Sequence, residues 1–171
     1  LIQNLEWNVI ELNDKQIAEF CHLSYTRVDG LWFMKVEERY GFDEALEIDN
    51  EVWKVLPKIQ ARMLKSAGET SVSNGMEALF QCFTTKLTLD SFTYKTEKIE
   101  GNDGFRVVIT KCPWHEQMVK SGRENLSEKV GTQICNTEYS TWASEFDDNI
   151  RFELKDQICK GSEFCVLEFL H

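Results

Sequence analysis

The spacing of apolar residues changes period near Phe92, and that change leaves few architectures open to the chain. Before it, apolar side chains recur every three or four positions. After it, two stretches alternate residue by residue. Steps of three or four lay side chains along one face of a helix, and steps of two along one face of a strand. Helices followed by paired strands make an α+β chain. The expectation is one domain: a helical N-terminal half, residues 1–90, packed with a small antiparallel sheet of about four strands within residues 91–171.

In the helical half, Asn13-Asp14 offers an N-cap for a stretch carrying Ile17, Phe20, Cys21 and Ser24 at helical spacing as far as Gly30. Cys21 reads as core, and His22, about 100° away around the helix, reads as surface. A second helix is expected over Leu31 to Tyr40, stopping at Gly41. The clearest amphipathic segment runs from Asp43 to Ala67, with Ile48, Val52, Leu56, Ile59 and Met63 as its buried stripe. Pro57 should kink or break it, because the ring removes a hydrogen bond and crowds the preceding turn. Gly68 ends it. A further helix starts after Ser73-Asn74-Gly75 and carries Met76, Leu79, Phe80 and Phe83, with Cys82 in the core.

Phe92 to Ile99 and Phe105 to Ile109 then read as a hairpin around Glu100-Gly101-Asn102-Asp103-Gly104. A helix follows from about Ser127 to Phe146, weakened by Gly131 and broken by Asp147-Asp148-Asn149. Ile150 to Ile158 alternates as a half-buried strand, and Phe164 to Leu170 returns beside it.

The net charge of -10 narrows the partners. No Lys/Arg cluster supplies the basic footprint a nucleic-acid binder needs, and the same field repels anionic lipids. No apolar run approaches the roughly 20 residues that cross a bilayer, and no secretory leader pattern opens the chain. The expectation is a cytoplasmic protein whose partner is a small molecule, a metal or another protein, with room for a homodimer.

Cysteines carry the chemistry. There are six, and Cys112, Cys135, Cys159 and Cys165 fall in the last 60 residues of the chain. In a reducing compartment, gathered cysteines bind metal or act catalytically more often than they form disulfides. Cys159 and Cys165 flank a five-residue connection containing Gly161. Opposed side chains of a hairpin lie about 5 Å apart, so two thiolates there can share a metal. Cys135, on the preceding helix, can supply a third sulfur, and Asp156 or Glu138 a carboxylate. Three sulfurs with one oxygen or nitrogen suit zinc; a fourth sulfur from Cys112 suits an iron–sulfur cluster. The competing reading is plain buried thiols, since free cysteine is among the most buried residue types.

Cys112-Pro113-Trp114-His115 adds a second possibility. Pro113 suits the first helical position, which makes Cys112 the N-cap, where free amides and the helix dipole lower a thiol's pKa. His115 returns to the same face, as a base for that nucleophile or as a second metal ligand. Trp114, Tyr139 and Trp142 could line a substrate pocket near the thiols or fill the core. Arg123, in Ser121-Gly122-Arg123-Glu124, could hold a carboxylate or make a surface ion pair.

The stretch Asp156-x-x-Cys159-x-Gly161-x-x-x-Cys165-x-x-x-Phe169, with Cys135 upstream, resembles the 4-vinyl-reductase-type small-molecule-binding domain. That resemblance implies zinc bound by Cys135, Asp156, Cys159 and Cys165, although the acidic position is Asp here and the Cys-to-Cys interval is shorter. Cys112-Pro113, Cys135 with Glu138, Gly161 and Cys165 are similar to the L-2-amino-thiazoline-4-carboxylate hydrolase-like family. The resemblances imply a metal-thiolate protein with a small-molecule pocket, hydrolysing a C–N or C–S bond in a ring with Cys112 and His115 at the pocket mouth. The alternatives are a non-enzymatic sensor or carrier with structural zinc, and an iron–sulfur or redox protein using all four late cysteines.

Overall fold

The first helix is capped where a short polar side chain predicts it. In the computed structural model, which describes residues 10–68, 74–101 and 103–171, α1 spans Asp14–Tyr40. Asn13 accepts from the Gln16 N–H at 3.0 Å, and the Gln16 side chain accepts from the Asn13 N–H at 3.0 Å. This reciprocal pair satisfies two amides that have no partner within the helix. Gly41 ends α1 with φ at 91°, a conformation that glycine adopts without steric cost. Gly30 does not end the helix. The two expected helices are one, because an interior glycine costs only about 1 kcal/mol and the residues after it are good helix formers. No residue of α1 is buried, so Cys21 is exposed rather than core.

The chain forms two compact units that divide between Ala45 and Leu46, inside α2 (Phe42–Trp53). In the first unit, Phe33 and Phe42 meet edge to face at 5.8 Å and brace the corner at Gly41.

In the second unit Pro57 breaks the long amphipathic segment as expected. The helix stops at Trp53 and restarts as α3 (Leu56–Ala67), with Pro57 in its first turn, where no N–H is needed. The expected buried stripe, however, faces solvent. Ile48, Val52, Ile59 and Met63 are all exposed, while Trp53, Pro57 and Ala61 are buried. Trp53, Pro57 and Ala61 also recur at steps of four, so the segment carries two periodic stripes. Ala61 lets α3 come close to its neighbours, and Trp53 supplies bulk. Neighbouring elements select between such faces, and the period alone does not.

α4 (Met76–Leu89) and α6 (Glu124–Ser144) pack on one face of the sheet and are joined by the short α5 (Pro113–Lys120) and two strands. The expected start of α4 touches Ser73, which lies outside the described residues, as does Asn102 of the first hairpin turn. The sheet contains β1 (Thr93–Lys98), β2 (Phe105–Lys111), β3 (Arg151–Asp156) and β4 (Cys165–Leu170) in the order β1-β2-β4-β3, antiparallel throughout. Phe105, Val107 and Ile109 of β2 and Leu167 and Phe169 of β4 point inward. Phe83 of α4 meets Phe169 at 4.9 Å and Trp142 at 5.9 Å, and Phe105 stacks on Phe169 at 4.8 Å. This aromatic cluster is the centre of the core. It draws on both periods, which is why helices and sheet fold together.

The other face of the sheet is polar. Glu97, Arg106, Glu168 and Glu153 form one row across all four strands. Arg106 bonds Glu168 at 2.6 Å and Glu97 at 3.1 Å, and Lys155 sits between Glu153 and Glu168. Like charges in neighbouring positions would oppose pairing; the two cations offset this. Gly104, before β2, leaves no room for a side chain: a Cβ there would lie 2.4 Å from the Phe169 carbonyl oxygen.

Candidate functional site

The four late cysteines sit on four different elements that meet at one end of the sheet. Cys112 is the residue between β2 and α5, as N-cap, with Pro113 at the first helical position. Cys135 lies on α6. Cys159 lies in a 3-10 turn, Ile158–Lys160, that closes at Gly161 with φ at 88°. Cys165 opens β4 opposite Ile109 of β2. The second hairpin connection is therefore longer than expected. β3 ends at Asp156 after a bulge, and Cys159 leaves the strand before it can face Cys165 across the ladder.

The turn still comes back to the helix. Cys159 Sγ rests on Gly131 of α6, where a Cβ would lie 2.8 Å from the sulfur. Gln157 Nε2 donates to the Gly131 carbonyl at 3.0 Å and locks the approach. Gln157 Oε1 is buried and has no hydrogen-bond partner. Cys135 is one turn further along α6, so the glycine that weakens the helix is what admits the turn beside the thiol.

All six cysteines are free thiols. Every pair among Cys112, Cys135, Cys159 and Cys165 interacts electrostatically, and burial is the first cause that raises each one's pKa. Cys135 is pushed well above the ordinary thiol range by burial and then by Cys112, Glu138, Cys165 and Cys159. Burial pushes Cys165 up to about 12, although its sulfur accepts the Ile158 N–H at 3.2 Å.

Cys112 departs from expectation. The backbone N–H groups of His115 and Trp114 favour its thiolate, although the sulfur makes no capping hydrogen bond, and burial outweighs them and raises the thiol. The His115 ring is also engaged elsewhere: Nδ1 lies 2.8 Å from Ser127 Oγ on α6. Backbone N–H, rather than imidazole, is what His115 offers Cys112.

Other predicted residues separate. Asp156 is exposed, with Oδ1 3.5 Å from Ser162 Oγ, and it reaches the thiols only as a charge acting on Cys165. Trp114 meets Trp53 edge to face at 6.1 Å. Tyr139 and Trp142 are 3% and 0% exposed and pack on Phe83 in the core. Arg123 lies half-buried in the turn before α6. A surface hollow of about 380 Å³ runs along Glu128, Lys129, Thr132 and Gln133 on α6 and touches none of these residues. Among the described residues, no three His, Cys, Asp or Glu side chains stand close enough to hold a metal ion as they are placed. The thiols gather without closing into a ligand cage.

One group beside the thiols was not expected. Lys86 of α4 is buried and pairs with Glu138 of α6, and with Asp90 at 3.2 Å. Burial opposes its charge, and Glu138 and Asp90 together outweigh burial, so the ammonium stays above its ordinary range. Glu138 is thereby committed to Lys86, and its charge also raises Cys112 and Cys135. A lysine inside the apolar run Leu79, Cys82, Phe83, Lys86, Leu87 was the visible signal in the sequence.

Among the described residues, no helix is long and apolar enough to cross a membrane. The chain belongs to the family described as a family of unknown function (DUF6125), which matches residues 12–169. No curated protein and no solved structure matches the chain.

Proposed function

We propose that this protein is a metal-thiolate protein in which Cys112, Cys135, Cys159 and Cys165 together hold zinc as a clamp between α5, α6 and the sheet. What supports the reading is that four free thiols, drawn from four elements, lie near enough for their charges to influence one another's ionisation. Four sulfurs suit a soft or borderline cation and leave no open coordination position, so the role is structural. Zinc bound there would cross-link the elements and add its binding energy to folding.

The chain's own residues prepare for this in two ways. The Ile158 N–H on Cys165 and the His115 and Trp114 N–H groups on Cys112 stabilise thiolates once a cation offsets the cost of burial. Gly131 leaves α6 open where Cys159 must lie. A binding or sensing domain is favoured over ring hydrolysis, because Tyr139 and Trp142 fill the core and His115 is held by Ser127. Free thiols in this number suit a reducing compartment, and we place the protein in the cytoplasm.

An iron–sulfur cluster is the second reading, since the same four cysteines meet its ligand count. Anaerobic purification followed by elemental analysis separates the two. One zinc per colourless chain, lost in Cys135→Ser and Cys159→Ser but kept in Cys21→Ser, is the expected result. A brown preparation containing iron and labile sulfide favours the cluster. Protein that holds no metal and whose melting temperature does not move with added zinc overturns both.

A further inference from the structure

The amphipathic stripe on α2 and α3 has the pattern of a buried face and is left in solvent. Ile48, Val52, Val55, Ile59 and Met63 are 38%, 43%, 56%, 50% and 64% exposed. They follow one another at steps of four, three, four and four, across the two-residue turn at 54–55 that separates α2 from α3. Single exposed apolar residues are ordinary, but a continuous row marks an interaction surface.

The charges beside the row identify the partner. α2 carries Glu47 and Glu51 next to Ile48 and Val52, and it contains no basic residue. Residues 54–67 carry Lys54, Lys58 and Arg62 next to Val55, Ile59 and Met63 and contain no acidic residue; Lys54 makes an exposed pair with Glu51 and Arg62 with Glu145 of the same copy, which leaves Lys58 as the basic charge for a partner to meet. The stripe is acidic at one end and basic at the other. A partner of uniform sign, an anionic membrane included, would be repelled along half of its length. A second copy turned by 180° meets opposite charge at both ends.

We propose that this stripe is the interface of a homodimer, with α2 of one copy antiparallel to α3 of the other about a two-fold axis near Val55. Such an interface is isologous, each patch contacting its own counterpart. The apolar row supplies the attraction. The flanking charges set the antiparallel register and disfavour the parallel one, in which like charges would face each other.

Charge exchange tests this directly. Wild-type full-length protein should sediment as a dimer and shift toward monomer on dilution. Glu47→Lys with Glu51→Lys should give a monomer, because both ends are then basic. Lys54→Glu with Lys58→Glu should give a monomer, because both ends are then acidic. Mixing these two variants in equal amounts should restore a dimer containing one chain of each. Unchanged far-ultraviolet dichroism and melting of each variant shows that the fold is intact. Ile59→Asp, on an exposed position, should also give a folded monomer. A wild-type monomer at the highest soluble concentration overturns the proposal. So does a dimer that survives Ile59→Asp, or a pair of charge variants that remain monomeric when mixed.

Discussion

Replacing Lys86 with Met should destabilise the protein far more than replacing either of its acidic partners. Lys86 and Glu138 are both 3% exposed, and Asp90 is the ammonium's second partner at 3.2 Å. Removing the lysine takes the ion-pair partner from a carboxylate that stays buried at Glu138, which costs about 3–5 kcal/mol. In a chain of this size each kcal/mol moves the melting temperature by about 2–4 °C, so the expected fall is roughly 6–20 °C. Glu138→Gln is milder. It keeps Lys86 paired with Asp90 and leaves an amide oxygen to accept, for a cost of about 1–3 kcal/mol. The double variant Lys86→Met with Glu138→Leu removes both charges and should recover most of the loss, since an apolar pair of similar volume is often neutral or better. Urea denaturation with reductant and chelator present measures all four proteins free of any metal contribution. Were Lys86→Met within about 1 kcal/mol of wild type, or Glu138→Gln as costly as Lys86→Met, the ion pair would not be holding α4 to α6.

Three further outcomes are expected. Gly131→Ala should gain about 1 kcal/mol of helix propensity, yet lower the melting temperature and speed alkylation of Cys159, because a Cβ would lie 2.8 Å from that sulfur; a stabilised protein with unchanged labelling would contradict this. Hydrogen bonds from Arg62 hold the Glu145 carboxylate below its ordinary range, so their contribution is full above the unfolded pKa of about 4.3 and is lost as pH falls through the lower folded value. Glu145→Gln should therefore reduce the difference between melts at about pH 7 and about pH 3, and an unchanged difference would count against the pair. Alkylation should label exposed Cys21 first and Cys112 more slowly, with Cys112 accelerating as pH rises toward its raised pKa; rapid labelling of Cys112 near neutral pH would restore the N-cap activation that burial is argued to cancel.

The sequence by itself determined the class of the fold and most of its element boundaries. The change of period at Phe92, the caps at Asn13 and Gly41, the break at Pro57 and the two hairpins all depend on residues close together in the chain. Local backbone preference and side-chain periodicity are fixed at that range. The sequence also marked Cys112 as an N-cap, because Pro113 permits little else at that position. Tertiary structure decided which of two stripes on α2 and α3 is buried, since Trp53, Pro57 and Ala61 are no more periodic than Ile48, Val52 and Ile59. It placed Tyr139 and Trp142 in the core, paired Lys86 with Glu138 across 52 residues, and turned His115 toward Ser127. It reversed the sign of the pKa shift at Cys112, because the amides that lower a thiol's pKa are local, whereas the burial that raises it comes from elements distant in sequence. Local order follows from neighbours along the chain. Burial, and with it the chemistry of a thiol or an ion pair, is a property of what else arrives in the same place.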